Sequence, residues 1–122
     1  MQTDIKAVVL AVLASGARHG YAIAKAVREQ TEGALKLGEG QLYPTLYALE
    51  EAGWIAGEWQ EDGTEQPRRI YRITDSGRQE LAERAERWHR FADGVAKILP
   101  HPEPSPNTGL SSFQLIAKGA LN

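Results

Sequence analysis

Gln41, Tyr43 and Tyr47 lie close together in this chain, and Arg68, Arg69 and Arg72 share a strip, 68–72, that contains no acid. The chemistry open to these side chains is noncovalent. A glutamine amide donates and accepts at once, the pattern that matches the edge of an adenine in a major groove. Two tyrosines four residues apart lie on one side of a helix. There they can present hydroxyls to phosphate or a flat ring to a thymine methyl. Clustered arginines neutralise phosphate without reading sequence, and do so less well as salt rises. Tyr21, Lys25 and Lys36 add a hydroxyl and two ammonium groups able to hold flanking backbone. A double-stranded DNA ligand would use all of these groups.

The other reactive residues do not assemble into a catalytic set. No nucleophile stands at a recognisable spacing from a base, and there is neither a phosphate-cradling loop nor a dinucleotide fingerprint. Glu50 and Glu51 are adjacent, so a helix points them in different directions and they cannot share acid–base work. His19 and His89 have no second ligand at metal-binding spacing, and the chain has no cysteine. The expectation is a protein that is not an enzyme and needs neither metal nor cofactor.

Bulk properties narrow the class further. The 122 residues amount to one domain rather than two, and 42% hydrophobic with 25% charged residues is the balance of a soluble globular chain. No apolar run reaches the ~18 residues of a membrane span, and the N-terminus lacks a signal-peptide pattern. A cytoplasmic location without membrane contact is expected. The net charge of −2 is mildly adverse to a polyanion. Its distribution is uneven, however, with five basic and three acidic side chains in residues 1–37. Glu50, Glu51, Glu80, Glu83 and Glu86 fall mostly outside the candidate DNA face.

The elements that must position these groups are legible from periodicity. A first helix follows Thr3 as N-cap, runs to about residue 15, and recurs inward at Ile5, Val8, Val9, Val12 and Leu13. A second starts near Gly20 and ends before Gly33, with Ile23, Ala24 and Val27 inward. Two short helices joined by a few residues with glycine suggest a helical corner. The third helix covers about residues 39–52. Its inner stripe is Leu42, Leu46 and Leu49, while Pro44, Tyr47, Ala48 and Glu51 face outward. Pro44 is expected in the first turn, because a mid-helix proline costs roughly 3 kcal/mol.

Residues 54–61 and 67–73 read as two strands around the turn signal Asp62-Gly63-Thr64. Trp54 and Trp59 read as packing of this hairpin. Thr74 caps a long fourth helix ending near residue 99. Its apolar positions Leu81, Ala85, Trp88, Ala92, Val95 and Leu99 alternate by four and three, the spacing of a heptad seam. Phe91 and Ile98 widen the seam. The first helix is too short to cover all of it, which favours a second copy of the chain as its partner. The expected organisation is a reading domain at 1–73, a pairing helix at 74–99 and a flexible tail at 100–122.

Helix, helix, helix, hairpin and long helix is the order of a winged helix-turn-helix, mainly α with a small β-hairpin wing, followed by a C-terminal dimerisation helix. At this level the sequence resembles the PadR family of transcriptional regulators. The matching residues are His19-Gly20-Tyr21, Leu42-Tyr43-Pro44, Leu49-Glu50-Glu51-Ala52-Gly53-Trp54-Ile55, Trp59, Pro67-Arg68-Arg69-Ile70-Tyr71-Arg72-Ile73-Thr74 and Gly77-Arg78. The resemblance covers about residues 5–99 and implies a DNA-binding regulator, generally a repressor that occupies a promoter. A dimer would read a palindromic site with half-sites about one helical turn apart.

Departures from the family pattern shift the expected contacts. Glu65-Gln66 stands near the wing tip where Gly-Arg is usual, next to Glu61 and Asp62, so phosphate would repel the tip. Contact by Arg68 and Arg69 further down the wing fits better. In some relatives an aromatic in the dimer interface stacks on flat effectors, which by resemblance points to Trp88, with Phe91, as the site for a small aromatic effector. The competing readings are that Trp88 is a core knob, that Arg72 pairs with an acid of the last helix, and that Tyr43 is half-buried. A winged-helix module that binds protein instead of DNA is the alternative function, resting on the acids Glu50, Glu51, Glu61 and Asp62.

Overall fold

The computed structural model describes residues 4–61, 63 and 68–102. Its elements are α1 (Ile5–Ala14), β1 (Arg18–His19), α2 (Gly20–Gln30), α3 (Glu39–Glu51), β2 (Ile55–Gln60), β3 (Arg68–Ile73) and α4 (Asp75–Ala96). The chain divides into two compact units, Met1–Phe91 and Ala92–Asn122. The mainly α architecture with a β wing is the one expected from the sequence.

The core of the first unit is aliphatic. Val9, Leu10, Leu13, Ile23, Val27, Leu46 and Leu49 are fully buried. The α3 stripe of Leu42, Leu46 and Leu49 therefore faces inward as expected, while Pro44, Tyr47 and Glu51 are exposed. Leu10 joins the core although the inward positions read for the first helix did not include it. Ala26, rather than Ala24, is the buried alanine of α2.

The N-cap of α1 is Asp4, not Thr3. Its carboxylate accepts the Ala7 amide at 3.0 Å, and Thr3 itself lies outside the described residues. Pro44 is also not in the first turn of its helix. With Gly38 as N-cap, it falls in the second turn and removes the amide that would bond the Gly40 carbonyl. The loss is tolerable because Gly40 is exposed, so water can take the donor's place.

The end of α3 is fixed by a left-handed glycine. Gly53 has φ 77°, its amide bonds the Glu50 carbonyl at 2.9 Å, and the Trp54 amide bonds Leu49 at 3.0 Å. These two bonds close the helix in a Schellman motif. The chain then enters the wing.

The sheet has three strands in the order β1-β3-β2, all antiparallel. β1 was not expected, because two residues give no readable period. Arg18 pairs with Tyr71 and His19 with Ile70, so β3 is central and the hairpin is tied to the start of α2. In the wing, Ile55 faces Ile73, Gly57 faces Tyr71 and Trp59 faces Arg69. Strand alternation puts Arg69, Tyr71 and Ile73 on one face and Arg68, Ile70 and Arg72 on the other. Trp54 packs against the core. Trp59 does not, being 68% exposed, because its position near the turn end of the hairpin lies beyond the helices. Asp62, Glu65, Gln66 and Pro67, and everything after Pro102, fall outside the described residues.

Thr74 caps α4 as expected, its hydroxyl accepting the Gly77 amide at 3.1 Å. The same hydroxyl donates to the Gly53 carbonyl at 2.7 Å, and Ser76 donates there at 3.0 Å. The Thr74 amide bonds Trp54 at 3.0 Å. The turn after α3 and the start of α4 are thus knotted together.

Candidate nucleic-acid interface

The outer face of α3 is built by its inner one. Once Leu42, Leu46 and Leu49 are buried, Gln41, Tyr43, Pro44 and Tyr47 have no choice but the opposite side. Tyr47 is 68% and Tyr43 48% exposed, and Gln41, two residues before Tyr43, is exposed as well. The Tyr43 ring lies on Gly20, whose absent Cβ would stand 3.2 Å from Tyr43 Cε1. Gly20 is therefore the seat of Tyr43, which explains the glycine between His19 and Tyr21. The half-buried reading of Tyr43 holds for one edge of the ring only.

Between α2 and the start of α3 lies a pocket of about 270 Å³, lined by Tyr21, Lys25, Arg28, Lys36, Gly38 and Tyr43. Lys25, Lys36 and Tyr21 were expected on this side. Arg28 was not, although it stands three residues after Lys25 and so shares its helix face. Lys25 is only loosely engaged, 4.0 Å from Glu29. Gly38 provides no side-chain cap, and Glu39, the acid of the first turn, lines the same pocket beside the three cations.

A second concavity, of about 650 Å³, separates α2 from the wing and is bordered by Tyr21, Tyr43, Trp59, Arg68, Arg69 and Tyr71. Tyr21 and Tyr43 stand on the ridge between the two hollows. Of the wing arginines, Arg68 is exposed and no carboxylate among the described residues pairs with it. Arg72 pairs across the wing with Glu58, not with the last helix. Arg69 is held by Glu50 at 2.7 Å. Burial pushes the Tyr71 hydroxyl above its ordinary range, and the nearby Arg69 only partly offsets this.

On the other side of the unit, α1 and α4 leave an apolar groove of about 460 Å³ between Ala7, Val8, Ala11, Leu35, Ala85 and Trp88. Trp88 lines this groove and is 38% exposed, with His89 edge-on to it at 5.4 Å. Phe91 is exposed and is not part of the groove lining. Leu81 packs against the core, whereas Leu99 is exposed. Among the described residues there is no cluster of potential metal ligands and no helix long and apolar enough to cross a membrane.

A recognition helix with an exposed aromatic face, a basic pocket at its start and a three-stranded wing beside it define a winged helix-turn-helix. Residues 9–83 match the transcriptional regulator PadR-like family, and the chain belongs to that family. It is 32% identical over 113 residues to the negative transcriptional regulator PadR of Bacillus subtilis, covering 93% of this chain and 54% of that one. The chain thus spans about half the length of this curated relative. Its fold superposes on a transcriptional regulator from Clostridium thermocellum with TM-score 0.72 and 27% identity, covering 79% of this chain and 93% of the other. It also superposes on Bacillus subtilis PadR in complex with operator DNA, with TM-score 0.61 and 28% identity over 98% of this chain and 60% of that one. This kinship does not favour the protein-docking alternative, and one of its supporting acids, Glu50, is already engaged by Arg69.

Proposed function

We propose that this chain is a sequence-specific DNA-binding transcriptional regulator, a cytoplasmic repressor that occupies a palindromic promoter site as a homodimer. The observation that carries the reading is the exposed α3 face of Gln41, Tyr43 and Tyr47 flanked by the Lys25, Arg28 and Lys36 pocket. Gln41 reads a base edge in the major groove. Tyr21, Tyr43, Tyr47, Lys25 and Lys36 hold the backbone, with Pro44 stiffening the face between the tyrosines. Arg68 and Arg72 add charge from the wing. Residues 1–73 read DNA, and the helix of residues 74–99 pairs two copies through Leu81, Ala85, Trp88, Ala92, Val95 and Leu99. The family kinship and the operator complex of the Bacillus relative support the DNA ligand.

A small planar effector fits the same scheme. The Trp88 groove has the size of a small-molecule site and lies on the pairing helix. A ligand that prefers a different spacing of the two recognition helices would release the operator by population shift. Tenfold release requires about 1.4 kcal/mol of differential affinity.

The test is a mobility shift with the DNA upstream of the gene against random DNA at two salt concentrations. Tighter, salt-sensitive and sequence-preferring binding is expected. Gln41→Ala is expected to relax base preference with little effect on random DNA, and equal loss on both would remove Gln41 from base reading. Binding that is blind to both salt and sequence would overturn the regulator reading. Titration of planar aromatics, followed by Trp fluorescence and operator affinity, tests the effector. No change in either readout across a panel would end that part of the proposal.

A further inference from the structure

Arg68, Arg69 and Arg72 look equivalent as charge, yet the fold treats Arg69 differently. Its guanidinium donates to Glu50 Oε2 at 2.7 Å and to the Gly57 carbonyl at 3.4 Å. It also lies 5.7 Å from the Trp59 ring centre and 5.6 Å from that of Tyr71. Recognition helix, first wing strand and second wing strand therefore all meet at one cation. The carboxylate it holds stands in the last turn of α3, where the helix dipole disfavours a negative charge, so Glu50 gains from a fixed partner. Gly57 belongs to the same arrangement. A Cβ there would stand 2.6 Å from Arg69 Nε and 3.0 Å from its Cζ, which means that the space of the missing side chain is the space the guanidinium occupies.

We infer that Arg69 is a positioning residue and not a phosphate contact: through Glu50 and the Gly57 gap it sets the angle between the wing and the recognition helix. The inference rests on the DNA-binding reading and refines it. A guanidinium already neutralised by a carboxylate and half-buried offers phosphate little field, whereas Arg68 beside it is exposed and has no carboxylate partner among the described residues. The brace makes sequence reading by α3 depend on the wing, because tilting one tilts the other.

The experiment measures binding of the full chain to the upstream DNA and to random DNA across a salt series. The variants are Arg68→Ala, Arg69→Ala, Glu50→Gln and Gly57→Ala, each checked for folding by circular dichroism. Loss of one phosphate contact flattens the plot of log affinity against log salt by about 0.9 per protomer, and Arg68→Ala is expected to do so. Arg69→Ala is expected to leave that slope unchanged while lowering affinity for the specific site by roughly tenfold, a typical size for a broken side-chain coupling. Gly57→Ala is expected to reproduce this without altering any charge.

Glu50→Gln gives opposite signs under the two roles. Freeing a phosphate-binding arginine from its carboxylate tightens binding to all DNA, while loosening a brace weakens the specific site alone. Tightening by Glu50→Gln, or a slope for Arg69→Ala as flat as that for Arg68→Ala, would overturn the inference. If the wild-type chain shows no salt-sensitive binding, the DNA reading fails separately. The brace is then decided by a double-mutant cycle of Glu50→Gln and Arg69→Met in urea unfolding, where additive effects refute it and a several-fold coupling in the folding constant sustains it.

Discussion

Two glycines in α4 make opposite predictions for the same substitution. At Gly77 an added Cβ would stand 2.0 Å from the Trp54 carbonyl oxygen and 2.8 Å from Ile73 Cγ1. The carbonyl cannot retreat freely, because it accepts the Thr74 amide at 3.0 Å, inside the knot that joins the α3 turn to α4. Moving it by the required ångström or so forfeits about 1 kcal/mol of hydrogen bonding and adds about 1–3 kcal/mol of overpacking strain. Alanine regains about 1 kcal/mol of helix propensity. Gly77→Ala is therefore expected to destabilise the fold by about 1–3 kcal/mol. At Gly94 nothing lies within 4 Å of the added Cβ. There the propensity gain stands alone, trimmed by fraying near the helix end, so Gly94→Ala is expected to stabilise by up to about 1 kcal/mol. Urea unfolding of both variants at one protomer concentration, to hold any association constant, measures the pair. A Gly77→Ala protein as stable as wild type would show that the close approach of α4 to the α3 turn is wrong.

Two further outcomes follow from packed polar groups. Burial raises the Tyr71 hydroxyl, so above about pH 10 the folded chain retains a proton that the unfolded chain releases. The stability it contributes is complete below that pH and falls as pH rises further. Tyr71→Phe should remove that share of the alkaline loss, seen as a smaller difference between urea midpoints at pH 9 and pH 11, and an unchanged difference would contradict the burial. Arg84 bonds both Asp4 oxygens at 3.1 Å and Glu80 at 2.9 Å, with its guanidinium 5.2 Å from the Trp54 ring. Arg84→Met leaves two carboxylates facing each other and should cost about 1–3 kcal/mol in urea unfolding, part of which Asp4→Asn restores because asparagine still caps α1. Failure of that partial rescue would mean that Arg84 acts through Trp54 alone.

What could be read in advance was whatever repeats. The leucine stripe of α3, the Thr74 cap and the wing hairpin each extend over enough residues, or use distinctive enough chemistry, to announce themselves. What escaped was short or depended on distant neighbours. β1 has two residues, and only the β3 edge makes it a strand. Arg28 became a pocket residue because the loop after α2 brings Lys36 back towards it. Trp59 is apolar and still exposed, because the wing projects past the helices that would have covered it.

The wing arginines show how much further the period alone could have gone. Charge groups Arg68, Arg69 and Arg72 together, but a strand alternates, so one of three cannot share the surroundings of its neighbours. Tyr71 and Ile73 mark the covered face, and counting back by two from them reaches Arg69. A cation on the covered side of a sheet needs a partner or it is costly to bury. The residue that could reach it is an acid near the end of α3, and Glu50 is there. Gly57 lies opposite Tyr71 in the register, and supplies the room. The two uncovered arginines then remain for DNA, and one of them is shared with Glu58. Arg68 is left as the wing cation with the strongest claim on a phosphate.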